Sequence, residues 1–145
     1  MRFSYFAHSV GDTVELGKKV GSVLRRGDIV AYLGGLGAGK TTMTHGIAVG
    51  MGLKDEVCSP TFAIVNEYLG KLSMCHFDMY RISGENDLES VGFFDYLLRD
   101  CVIVIEWSEN IKEVLPPETV FITINVADEN SREIIIEGDE RFDFS

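Results

Sequence analysis

The chain has 145 residues, is 46% hydrophobic and carries 13 Lys and Arg against 23 Asp and Glu, a formal net charge of −10. A chain of that length hides about 68–70% of the surface its unfolded form exposes, so it can hold a core without a disulfide framework or a structural metal. Disorder and low complexity are excluded, and one domain covering 1–145 is expected.

The charge is unevenly placed: residues 1–72 carry 8 basic and 6 acidic side chains, residues 73–145 carry 5 and 17. The second half therefore repels phosphates. Tight autonomous binding to nucleic acid, which comes mainly from Lys and Arg displacing counterions, is not expected. Cys58, Cys75 and Cys101 are odd in number and widely separated, with no histidine at metal-ligand spacing. They read as reduced, mostly buried thiols. No apolar run approaches the roughly 20 residues of a membrane span, and the N-terminal run is too short for a secretory signal, so a cytoplasmic protein without membrane contact is expected.

In chain order, residues 2–6 suggest a short first strand. Asp12 and Glu15 have capping-box spacing ahead of Leu16, Val20, Val23 and Leu24, which share a helical face, and Gly27 suits the C-terminal cap. The run Ile29-Val30-Ala31-Tyr32-Leu33 is nearly all apolar and ends at glycines, as a strand buried on both faces of an α/β sheet does. Residues 41–51 follow as a helix with Met43, Ile47, Ala48 and Met51 turned inward. Residues 62–69 and 72–79 read as two strands of a hairpin around Gly70-Lys71, and 85–98 as a helix. Cys101-Val102-Ile103-Val104-Ile105 has no polar break and reads as a central strand ending at Glu106; 120–126 and 133–137 complete the sheet as antiparallel neighbours. The class expected is α/β, with a mixed central β-sheet flanked by helices.

Between the first buried strand and its helix lies Gly34-Gly35-Leu36-Gly37-Ala38-Gly39-Lys40-Thr41, followed by Thr42, which matches G-x-x-x-x-G-K-[ST] and makes the expected fold a single P-loop NTPase domain. Glycines let successive backbone N–H groups point into one concavity, and the helix that follows presents its positive end there, so a polyphosphate is held by amides and dipole together. Lys40 adds a mobile charge for the outer phosphates, and the Thr41 hydroxyl can complete a magnesium shell. The chemistry also needs an acid for the metal shell and a group to direct the attacking oxygen. Asp78 and Glu106 both end strands, and spacing alone permits either assignment. Thr61, in Cys58-Ser59-Pro60-Thr61-Phe62, stands where nucleotide switches carry a phosphate-sensing threonine. Guanine readers carry Asn-Lys-x-Asp, and Asn110-Ile111-Lys112-Glu113 has the wrong order, so adenine is favoured by default. His8, His45 and His76 show no triad or metal spacing and read as structural or surface residues.

Taken together, Gly34 to Thr42, Ser59-Pro60-Thr61-Phe62, His76-Phe77-Asp78-Met79-Tyr80-Arg81 and Ile105-Glu106-Trp107-Ser108-Glu109 resemble, in that order and spacing, the TsaE (YjeE) family over roughly residues 10–137. The resemblance implies a magnesium-dependent ATPase that assists threonylcarbamoyl modification of the adenosine beside the anticodon in certain tRNAs. It acts there with the TsaB and TsaD proteins and meets tRNA only through them. By position, Gly35, Leu36, Gly37, Ala38, Gly39, Lys40, Thr41 and Thr42 resemble the nucleotide-binding residues, with Trp107 beside the site. Thr41 and Glu106 resemble the magnesium-site residues, Thr61 the switch threonine, and Asp78 the acid needed for hydrolysis. Family members usually carry Asp or Asn where this chain has Gly35, which implies turnover that is weak alone and dependent on partners. Met79 replaces a more usual leucine, a change expected to be neutral.

Two readings from other classes compete. A small-molecule kinase would use a mobile lid with several arginines, whereas after Lys40 only Arg81, Arg99, Arg132 and Arg141 remain, unclustered in sequence. A nucleotide-sensing module with negligible turnover would use the Thr61 loop as its switch.

Overall fold

The computed structural model describes residues 1–34, 39–54, 65–79 and 92–144. Its strands are β1 (Arg2–Ala7), β2 (Ile29–Leu33), β3 (Val65–Tyr68), β4 (Ser73–Asp78), β5 (Cys101–Glu106), β6 (Val120–Val126) and β7 (Arg132–Glu137). Its helices are α1 (Val10–Val23), α2 (Lys40–Gly50) and the short α3 (Phe93–Leu97), with 3₁₀ turns at Ser108–Val114 and Glu140–Phe142. One seven-stranded sheet runs β1-β7-β6-β2-β5-β4-β3. The four inner strands β6, β2, β5 and β4 are parallel; β7 and β3 flank them antiparallel, and β1, antiparallel to β7, runs in the direction of the inner strands at the far edge. The mixed α/β sheet expected from sequence is the one observed.

The apolar runs form the inner strands because residues alternate between two covered faces. Val30 and Tyr32 of β2, Val102 and Val104 of β5, and Ile122 and Ile124 of β6 pack with Leu16, Val20, Met43 and Ile47 of α1 and α2. Ile29, Ala31, Ile103, Ile105 and Phe77 face the other way, toward Phe93, Ile111 and Leu115. There Phe77 meets Phe93 edge-on at 5.3 Å and Tyr96 at 5.1 Å. Beyond the covered strands, β1 shows the half-buried alternation of an antiparallel edge. Its Tyr5 hydroxyl donates to the Phe142 carbonyl at 2.6 Å and accepts from the Phe144 N–H at 2.9 Å, tying the last turn to the edge.

The start of α1 lies three residues before the Asp12–Glu15 reading. Ser9 caps it, accepting from the Asp12 N–H at 3.1 Å, while the Asp12 carboxylate accepts from the His8 N–H at 3.0 Å. Glu15 instead pairs with Lys18 at 2.8 Å. Gly27 is likewise no cap: α1 ends at Val23 with Leu24 as its C-cap, and Gly27, at φ +86°, turns the chain into β2 and donates its N–H to the Cys101 carbonyl at 3.1 Å. The hairpin forms as expected, with Tyr68 opposite Met74. Residues 62–64 and the 85–91 part of the anticipated helix lie outside the described residues; α3 supplies its end.

Helices α1 and α2 pack backbone to backbone. A Cβ on Gly17 would sit 2.5 Å from the Met43 carbonyl oxygen and 2.9 Å from the Gly46 Cα. Cβ atoms on Gly21, Gly46 and Gly50 would press still closer on the carbonyls of Ile47, Val14 and Lys18 respectively. Each helix thus carries glycines one turn apart on the face it shows the other.

Cys75 and Cys101 are buried free thiols on adjacent strands with Sγ atoms 3.5 Å apart, as anticipated; Cys58 is outside the described residues. Burial, then the neighbouring Cys101, pushes the Cys75 thiol up to about 12. Little of it is then thiolate, the reactive form, and Cys101 is shielded by its own burial. Iodoacetamide should therefore leave Cys75 and Cys101 unmodified in folded protein and alkylate both after denaturation, as peptide mass spectrometry would show. Rapid native labelling of either would contradict this packing.

Candidate active site

Parallel strands deliver their C-terminal ends to one edge of the sheet, the edge where α/β folds hold ligands. Three ends meet there. β2 runs into Gly34, whose φ of +124° suits glycine and whose Cβ, if present, would stand 2.8 Å from the Ile124 carbonyl oxygen. β4 ends at Asp78 and β5 at Glu106, and these two are registered neighbours, with the Met79 N–H donating to the Glu106 carbonyl at 2.9 Å. Because register partners in a sheet point to the same side, His76, Asp78 and Glu106 all lie on the face that α2 covers, that of Met74, Val102 and Val104.

Gly39, at φ +104°, starts α2, and neither a side-chain cap nor an acidic residue occupies its first turn. That leaves the helix's positive end for an anion. Lys40 is 6% exposed; its ammonium donates to the Gly34 carbonyl at 3.1 Å and lies 4.4 Å from the centre of the Trp107 ring. Trp107 is the one non-glycine residue at positive φ among the described residues (φ 60°, ψ 42°). It sits directly after Glu106, a tight exit that points the chain back over Lys40. Ser108, fully buried, donates to the Tyr32 carbonyl at 2.7 Å and fastens that exit to β2. The Thr44 hydroxyl donates to the Tyr32 hydroxyl at 2.9 Å, and burial pushes Tyr32 far above the usual tyrosine range, so it stays protonated.

Glu106 is 5% exposed, Asp78 half-buried, and Thr41 exposed at the mouth of α2. Each of these is a residue the sequence singles out. His76 it placed among structural or surface residues; the ring is fully buried, with Nε2 3.2 Å from Glu106 Oε2. Among the described residues no three His, Cys, Asp or Glu side chains converge on one point. A cation here would therefore need oxygens from elsewhere, and the hard carboxylate and hydroxyl donors of Glu106, Asp78 and Thr41 suit magnesium, which takes one or two carboxylates and fills its octahedron with phosphate and water.

Beside the first turn of α2 opens a cavity of about 190 Å³ lined by Ser9, Val10, Thr13, Gly39, Thr42, Glu129, Asn130 and Arg132. Its far wall is the β6–β7 turn, where the Asp128 carboxylate accepts from the N–H groups of Asn130 and Ser131 at 2.9 and 2.8 Å, which holds it below the usual range. The cavity is not visible in the sequence because three distant segments build it and only Gly39 and Thr42 belong to a motif. Gly35, Leu36, Gly37, Ala38 and Thr61 lie outside the described residues.

A parallel strand, a glycine turn and an uncapped helix bearing a buried lysine, faced by strand-end carboxylates, define a P-loop NTPase-type α/β protein. The comparisons give the family. The model for "Threonylcarbamoyl adenosine biosynthesis protein TsaE" matches residues 7–134. The tRNA threonylcarbamoyladenosine biosynthesis protein TsaE of Treponema pallidum is 37% identical over 130 residues, 90% of this chain and 96% of that one. The protein of the same name from Bacillus subtilis is 40% identical over 124 residues, 85% and 77% of the two chains. The crystal structure of Bacillus subtilis YdiB superposes with a TM-score of 0.80 at 32% identity, covering 98% of this chain and 89% of that one. This chain belongs to the TsaE family.

Proposed function

We propose that this chain is a magnesium-dependent ATP hydrolase that serves threonylcarbamoyl modification of tRNA adenosine in the cytoplasm, working with the TsaB and TsaD proteins. The observation that carries the reading is the buried Lys40 ammonium held beside Trp107 and the Gly34 carbonyl, on the sheet face where Glu106 and Asp78 end their strands. The names of the relatives supply the pathway.

In this reading the amides of 35–42 cradle the phosphates and Lys40 leaves the Gly34 carbonyl for the outer ones. The cavity beside Thr42 takes the nucleoside: it begins where the phosphate loop ends. Thr41 and Glu106 hold magnesium, which neutralises charge building on the phosphates. Asp78, on the neighbouring strand, orients the attacking water, and Thr61 senses the terminal phosphate. Trp107 closes over Lys40 and keeps bulk water from it. The 17 acidic side chains of residues 73–145 support a tRNA reached through partners. No helix among the described residues is long and apolar enough to cross a membrane.

Multiple-turnover hydrolysis of ATP, measured with and without TsaB and TsaD, tests the proposal. Magnesium-dependent turnover that rises when both partners are added is expected. Tight nucleotide binding with no turnover under either condition would replace the hydrolase reading by the sensing module, and rapid phosphorylation of a metabolite without partners would revive the kinase.

A further inference from the structure

The histidine buried against Glu106 has no task in the scheme above. His76 lies in the middle of β4, fully buried, opposite Val104 in β5 and Asn66 in β3. Neither ring nitrogen has a hydrogen-bond partner among the described residues, although Nε2 comes within 3.2 Å of Glu106 Oε2. The separation is that of a hydrogen bond and only the alignment is short of one. An imidazole walled off from water without a partner costs free energy that an apolar residue on the same strand would avoid. The register sets Asn66 opposite the ring on β3 and carries Glu106 beyond Val104 on β5, and it is this carboxylate, itself 6% exposed, that Nε2 approaches. Histidine N–H groups in this relation to a ligating group fix its orientation and raise its affinity for the ion, and such contacts in unloaded sites are often misaligned until the ligand arrives.

We infer that His76 is a positioning residue for Glu106: its Nε2–H holds Oε2 of the carboxylate and leaves the other oxygen for the divalent cation. The inference rests on the proposed role of Glu106. It requires a proton on Nε2, whatever the charge of the ring, and it assigns the buried imidazole to metal affinity and not to core packing.

Manganese(II), standing in for magnesium, is titrated by electron paramagnetic resonance into protein saturated with ADP, and ADP affinity is measured separately with no metal present. His76→Leu should raise the manganese concentration for half-occupancy about tenfold or more, leave metal-free ADP affinity unchanged, and be largely corrected by His76→Gln, whose amide N–H falls near the place of Nε2. A His76→Leu protein that binds manganese as the native protein does, or that loses metal-free ADP affinity in equal measure, overturns the inference. Glu106→Gln separates the two layers. If it leaves the manganese requirement unaltered, the metal role of Glu106 fails and the inference with it; if it raises the requirement while His76→Leu does not, only His76 is reassigned. Should His76→Leu not fold, ¹⁵N spectra of the native imidazole decide: a proton on Nε2 supports the assignment, and a bare Nε2 refutes it.

Discussion

Lys40→Ala is expected to lower ATP turnover by about 10²–10³-fold, the cost of deleting one preorganised donor to a developing negative charge, while the protein stays folded. The folded-state loss is small by comparison. The side chain contributes a cation–π contact at 4.4 Å and one hydrogen bond to the Gly34 carbonyl, together about 1–2 kcal/mol against a domain stability of about 5–15 kcal/mol. The two effects therefore separate in one variant: a near-native thermal transition beside lost turnover. A folded Lys40→Ala protein that hydrolyses ATP at the native rate would remove the site assignment altogether.

The largest effect on stability should come from Gly46→Val. The added Cβ would be driven into the Val14 carbonyl and would stand 3.0 Å from the Gly17 Cα. Both neighbours are main chain of α1, so no side chain can swing aside. The helices must part, and Leu16 and Val20 on one side and Met43 and Ile47 on the other lose their burial. A penalty of about 3 kcal/mol or more is expected, read as a large drop in the denaturation midpoint. Gly11→Ala is the matched control, because its Cβ would meet only Ser9 Oγ at 3.6 Å; it should be neutral or gain up to about 1 kcal/mol. Equal midpoints for the two variants would show that the close approach is not what holds α1 in place. Ser9, Val10 and Thr13 of the α1 end face Gly39 and Thr42 of the α2 end across one cavity, so parting the helices should weaken nucleotide binding as well.

The strands that position the site were legible for a simple reason. Ile29–Leu33 and Cys101–Glu106 are covered on both faces, which forbids polar breaks and makes their ends unmistakable. The glycines before Lys40 and the acids at two strand ends were readable on the same ground. What stayed hidden depends on pairing across long separations. That β1 borders β7, and that β4 lies in register with β5 so that His76 comes beside Glu106, follows from sheet order, which no local pattern encodes. The start of α1 was ambiguous because Ser9–Asp12 and Asp12–Glu15 share one spacing. The earlier cap won because β1 hands over to the helix directly after Ala7. Gly17, Gly21, Gly46 and Gly50 were in plain view, but their spacing gains meaning only once two helices are known to touch.

Trp107 is the sole tryptophan of the 145 residues, and its indole lies over the Lys40 ammonium. Excited at the red edge of protein absorption, where the five tyrosines scarcely absorb, the molecule therefore emits from one contact. Any triphosphate that draws the cation off the ring changes the field around the only strong fluorophore, giving the protein a built-in optical gauge of site occupancy that needs no dye.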